Sequence, residues 1–140
     1  MLNDGDILLS KDGTIGKIGF IDSLDMPTTV ASGIFVIRNI KPKIISTTFI
    51  YYLLKSRLFK NFMLTRTEGS VIPHLYQKDF MRFEFSLPNP EAMKLFDKIT
   101  KPMFYTIINN LNENEKLKTL RNELVNKLIS GEIDFSNIDI

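Results

Sequence analysis

From Asn89 to Gly131 the sequence carries the signals of one long helix, longer than a small domain can bury. Asn89 is a capping residue, Pro90 suits the first helical position, and Glu91 favours the positive end of the helix dipole. Lys127 stands in the expected last turn and Gly131 stops it. About 42 residues at a rise of about 1.5 Å each span roughly 63 Å. Much of such a rod must pack on something other than its own head, because so long a helix gains little stability alone.

Heptad spacing describes what it could pack on. Phe96, Met103, Asn110, Leu117 and Leu124 form one series, apolar at all but Asn110. Three residues on from each stand Ile99, Thr106, Glu113, Leu120 and Lys127, of which only Ile99 and Leu120 are apolar. Pairing is expected along Phe96, Ile99, Met103, Ile107, Asn110, Leu117, Leu120, Leu124 and Leu128. The polar patch Asn109, Asn110, Asn112, Glu113 and Asn114 either sets register, as a buried seam Asn does, or marks a solvated middle. Pro102 lies inside the helix, where proline costs about 3 kcal/mol and kinks or interrupts it.

Before Pro88 the pattern is that of short strands and turns. Asp6 to Ser10 is a strand-length apolar run, and Lys11-Asp12-Gly13 reads as a three-residue hairpin turn. Thr14 to Ile21 alternates in part, with Gly16 and Gly19 suggesting a bend. After a loop at Asp25-Met26-Pro27, Thr28 to Ile37 has the β-branched composition of a strand. Ser46, Thr47 or Thr48 can cap a single helix carrying Phe49, Tyr52, Leu53, Ser56, Phe59 and Met63, which Glu68-Gly69-Ser70 breaks. Val71 to Leu75 is extended, because Pro73 pushes its predecessor out of the helical region. A short helical turn is expected over Tyr76 to Met81, then a last strand in which Phe83, Phe85 and Leu87 alternate with Glu84 and Ser86. The expected class is α+β, a small mixed-strand domain over 1–88 followed by the helix and tail over 89–140.

Composition removes several kinds of chemistry. The 140 residues are 44% apolar and 24% charged, ordinary values for a globular chain. With no cysteine and one histidine, disulfides, thiolate zinc, Fe–S clusters, thiol nucleophiles and histidine metal clusters are all excluded. The longest apolar run, Phe49 to Leu54, is too short to cross a membrane, and the acidic N-terminus is unlike a signal peptide. A soluble, cytoplasmic protein without cofactors is expected. The net charge of +2 conceals a basic block: residues 38–82 hold nine Lys and Arg against two acids, while the chain from Asn89 onward sums to −1. Such a block either meets a polyanion or is balanced by acids nearby in space.

Catalytic patterns are missing. Gly13-Thr14-Ile15-Gly16-Lys17-Ile18 has two residues where a phosphate-binding loop needs four, and Ile18 replaces its hydroxyl. No acidic residue stands two before a lysine, the nuclease spacing. Asn89-Pro90 is followed by Glu91 rather than by the Pro and aromatic of base-flipping amino-methyltransferases. Nothing in the sequence assigns His74 to a Ser-His-Asp set. The residue content is that of a binding or assembly module, not an enzyme.

The order of several stretches resembles the specificity subunit of type I restriction-modification systems. These are Gly5 to Ser10, Asp12 to Lys17, Ser32 to Arg38, Tyr51 to Ser56, Gly69 to Phe80 and Leu87-Pro88. In the tail they continue as Glu113 to Leu117, Leu120 to Leu124 and Lys127 to Ile133. The resemblance implies a target recognition domain followed by a conserved spacer helix. Such subunits normally carry two of each; their helices pair as an antiparallel coiled coil, and each domain reads one half of a bipartite double-stranded DNA site. The helices also dock modification (methyltransferase) subunits and, through them, restriction subunits, while the specificity subunit itself has no catalytic centre. This chain holds one such unit, and family domains usually have a further segment before the Gly-Asp-Ile-Leu stretch, so the recognition domain is expected to be partial. Self-pairing of the helix into a homodimer would restore two domains and favour a palindromic bipartite site.

Phosphates and base edges are contacted by Lys, Arg, hydroxyls, amides and aromatic polar tips on loops. Lys11, Lys17, Arg66, Thr67, Ser70, His74, Tyr76, Gln77 and Lys78 are the expected DNA-binding residues. Each has a structural alternative: Lys11 in a turn, Arg66 paired with Glu68, Tyr76 and His74 satisfied in the interior. The leading reading is a DNA-recognition subunit, or half of one, in a restriction-modification complex. The alternative is a truncated assembly module whose helix oligomerises without reading DNA.

Overall fold

A computed structural model of the chain describes residues 1–67 and 74–133. Three strands, β1 (Ile7–Ser10), β2 (Ile18–Phe20) and β3 (Ile34–Ile37), form an antiparallel sheet in the order β2-β1-β3. Helices α1 (Thr47–Lys55), α2 (Arg57–Thr67), α3 (Gln77–Phe80) and α4 (Pro90–Ile129) follow, giving the expected α+β class. Two compact units are present, Met1–Lys101 and a second from Pro102 onward. Among the described residues no helix is long and apolar enough to cross a membrane.

Register decides which side chains share a face. Ile7 is opposite Phe20 and Ile37, and Leu9 is opposite Ile18 and Phe35, so these residues project together. Ile7 and Leu9 are fully buried; Phe20 meets Tyr51 of α1 edge-on at 6.2 Å, and Phe35 meets Phe80 of α3 at 5.5 Å. Val36, opposite Leu8 on the other face, is exposed. In α2, Phe59 is fully buried among Phe62, Phe80 and Phe83, with centroids at 6.1, 6.0 and 4.9 Å.

The hairpin turn is not Lys11-Asp12-Gly13 as expected. The connection runs from Lys11 to Lys17, and Lys11 is held at its start: its N–H donates to Gly33 O at 2.9 Å and its carbonyl accepts from Leu75 at 2.9 Å. Ser10 closes the longer loop, donating from Oγ to Thr14 O and accepting from Lys17 N–H. The strand expected over Thr28 to Ile37 is likewise shorter, confined to β3.

Ser46 is the cap of α1, accepting from Phe49 N–H at 3.1 Å while donating at 2.5 Å to Asp97 of α4. Asp97 also receives Lys101 at 2.9 Å, so a carboxylate sits at the positive end of α1. The single helix expected beyond Ser46 is two helices. Ser56 takes an extended backbone, donates from Oγ to Leu53 O, and accepts from Phe59 N–H, ending one helix and capping the next. The strand expected at Phe83–Leu87 does not form. Phe83 and Phe85 stack on each other at 6.0 Å and pack on Phe59, Phe62 and Phe49, so their alternation serves an aromatic cluster rather than a ladder.

Asp6 is 1% exposed and accepts from Arg38 Nε and Nη2 at 2.8 and 2.7 Å and from Asn3 N–H at 2.8 Å. The Arg38 hydrogen bond chiefly, against the opposing effect of burial, holds its carboxyl below the ordinary carboxylate value. A carboxyl lowered on folding stabilises the protein above its unfolded pKa, and that contribution disappears as pH falls through the folded value. Stability is therefore expected to decline on acidification below about pH 4, and less steeply in Asp6→Asn. Urea midpoints against pH check this; parallel profiles for the two proteins would refute it.

Both ends of α4 are as the sequence indicates. Asn89 Oδ1 accepts from Ala92 N–H at 2.8 Å with Pro90 first in the helix. Gly131, at φ +75°, donates to Leu128 O while Glu132 donates to Lys127 O, a closure that needs the left-handed backbone of glycine. Pro102 does not end the helix. In the first unit Met93 is buried and Phe96 packs on Phe49 and Tyr52 at 5.3 and 6.2 Å. In the second, Phe104 and Ile108 are buried, while Met103, Ile107, Leu117, Leu120, Leu124 and Val125 are exposed.

Candidate nucleic-acid interface

At the end of β1 the chain places a cation, a carboxylate, an imidazole and a phenol side by side. Lys11 is held by Gly33 on one side and Leu75 on the other, and an isolated antiparallel bridge joins Asp12 to His74. Leu75 is fully buried, and in an extended stretch its neighbours His74 and Tyr76 turn the opposite way. His74 Nδ1 bonds Asp12 Oδ1, the Tyr76 ring stands 4.3 Å from the imidazole, and Lys78 Nζ lies 5.5 Å from the Tyr76 centroid. Lys11 Nζ is 3.8 Å from Asp12 Oδ2 and 5.4 Å from the Phe35 ring. Tyr76, Gln77 and Lys78 are exposed at the start of α3.

Lys11, His74, Tyr76 and Lys78 are thus brought together, with Gln77 adjoining. Lys17 is exposed at the far end of the β1–β2 connection, and Arg66 is exposed in the last turn of α2 over Phe62. Thr67 is the last residue of α2, and Ser70 lies outside the described residues. Sequence reasoning missed Asp12 as a partner of His74 and Gly33 beneath it. The contact spans 62 positions and no local pattern encodes it.

Among the described residues the basic block is largely unneutralised. Of its nine cations Arg38 pairs with Asp6 and Arg82 with Asp79; Lys41, Lys43, Lys55, Arg57, Lys60, Arg66 and Lys78 have no acidic partner among the described residues. Exposed cations beside an aromatic and an imidazole can hold phosphates and reach base edges. Among the described residues no three or more His, Asp or Glu cluster as a metal site would require.

Comparison with known proteins bears on what such a surface meets. The family model described as type I restriction modification DNA specificity domain matches residues 1–126. The type I restriction enzyme MjaVIII specificity subunit of Methanocaldococcus jannaschii is 26% identical over 145 aligned residues, covering 99% of this chain and 33% of that protein. The MjaIX specificity subunit of the same organism is 31% identical over 85 residues, covering 61% of this chain and 19% of that protein. The chain spans about a third of the length of the first of these relatives.

Proposed function

This chain belongs to the type I restriction-modification DNA specificity domain family, and from that membership we propose that it is a DNA sequence-recognition subunit, or half of one, without catalysis of its own. The observation that carries this reading is the family match running through the strands and helices of the head and most of α4. Residues 1–88 act as a partial target recognition domain on double-stranded DNA, and 89–140 as spacer and dimerisation helix and tail. DNA is met by Lys11, Lys17, Arg66, Thr67, Ser70, His74, Tyr76, Gln77 and Lys78. The helix pairs as an antiparallel coiled coil through Phe96, Ile99, Met103, Ile107, Asn110, Leu117, Leu120, Leu124 and Leu128. It also docks modification subunits and, through them, restriction subunits. A homodimer so formed reads a palindromic bipartite site. Work of this kind is done in the cytoplasm.

Phosphate-led binding releases counterions, so affinity must fall with salt. If Lys11, Lys17, Arg66 and Lys78 each neutralise one phosphate, affinity for a duplex drops roughly 100-fold between about 50 and 200 mM salt. Lys78→Ala lowers the slope by about one. Fluorescence anisotropy on a labelled duplex measures both; binding that ignores salt, or no binding, overturns the reading.

A further inference from the structure

Resting on the nucleic-acid reading above, we infer that His74 is a base-edge acceptor and that Asp12 is the positioning residue that makes it one. Asp12 Oδ1 lies against His74 Nδ1. A carboxylate there accepts the Nδ1 proton, which fixes the neutral ring's tautomer and leaves Nε2 with its lone pair. Among the described residues nothing bonds Nε2, and the ring is about a third exposed.

The arrangement is held from several directions. The Asp12–His74 bridge aligns the two backbones, buried Leu75 anchors the segment, and the Tyr76 ring closes one side of the imidazole. Behind the carboxylate is Gly33, where a Cβ would come within 3.3 Å of Asp12 Oδ2 and 3.4 Å of Asp12 Cβ. The absence of a side chain there gives Asp12 its seat.

A bare imidazole nitrogen needs a donor. In the major groove only the amino groups of cytosine and adenine are donors; guanine and thymine present acceptors. His74 therefore favours C or A at one position. The Asp12 charge disfavours a phosphate at the same place, while Lys11 and Lys78 remain to hold the backbone.

His74 is the only histidine in the sequence, so its ring nitrogens can be read directly by NMR in the ¹⁵N-labelled full chain. The Nδ1–H form is expected, shifting toward Nε2–H in Asp12→Ala. In parallel, the full chain and its variants select duplexes from a pool with randomised positions. One position is expected to be enriched roughly tenfold in C or A. That enrichment is lost in His74→Ala and in Asp12→Ala, with no further loss in the double variant. Asp12→Asn, which keeps an acceptor oxygen for the Nδ1 proton, retains it, and the salt slope is unchanged in His74→Ala. A merely structural staple would instead weaken binding to every sequence alike. The inference is overturned by an Nε2–H ring in the unmodified chain, by a base preference indifferent to both variants, or by single-variant losses that add. Salt-sensitive binding with no base preference overturns the role of His74 alone, whereas no salt-sensitive binding overturns the nucleic-acid reading and this inference with it.

Discussion

Bearing Leu117→Asp and Leu124→Asp together, the chain is expected to run in light scattering at the mass of one copy, where the unmodified chain is expected at two. The second unit holds α4 from Pro102 onward, and Leu117 and Leu124 stand there 55% and 46% exposed. With Leu120 between them and Leu128 one turn beyond, they form a leucine row at spacings of three and four. Such a row left in water is unfavourable, and a contiguous apolar stripe marks an interaction surface. Burying one leucine is worth about 1.5 kcal/mol or more. A symmetric pair uses each residue twice, so the two substitutions remove roughly 6 kcal/mol, about four decades of affinity, before the cost of desolvating the new carboxylates. Capture of a modification subunit, where the same face serves, is lost as well. Unchanged mass together with intact capture would end the spacer assignment.

The second large effect is on the fold itself. Phe59→Ala empties the centre of the Phe62, Phe80 and Phe83 cluster, and Phe→Ala changes in cores cost about 3–5 kcal/mol. Against a total of about 5–15 kcal/mol that is a large share. The damage also reaches the candidate interface, because Phe80 supports Phe35 and Phe35 lies beneath Lys11. Urea denaturation should place Leu64→Ala, half exposed on the same helix, within about 0.5 kcal/mol of the unmodified chain. A Phe59→Ala cost below about 1 kcal/mol would mean that this cluster is not the core.

Where local chemistry decides an element, the residues announce it. Asn89, Pro90 and Gly131 bound α4 and Ser46 caps α1, because each is a preference of one residue for one backbone shape. Where two structures share a local pattern, the sequence misleads. Ser56 fits the polar edge of a continuous helix as well as the break it makes, and Phe83, Phe85 and Leu87 alternate as a strand would although, among the described residues, no neighbouring strand offers them a ladder. Of the candidate site, Lys11, His74, Tyr76, Gln77 and Lys78 were visible as residue types suited to DNA. Their assembly was not, since Asp12 and His74 meet across 62 positions.

By itself, then, the order of residues determined the α+β class, the ends of the long helix, the exclusion of thiol and histidine-cluster chemistry, and the surplus of positive charge between 38 and 82. All of these follow from composition or from interactions within a few residues. Only tertiary structure decided that Lys11 would be held between Gly33 and Leu75, that Asp6 would be buried against Arg38, and that Asp12 would back onto Gly33 and hold His74. Each of those outcomes depends on backbones brought together by the burial of Ile7, Leu9, Phe59 and Leu75. Burial rewards apolar area without regard to distance along the chain, so no local reading of the sequence can anticipate which polar groups it brings into contact.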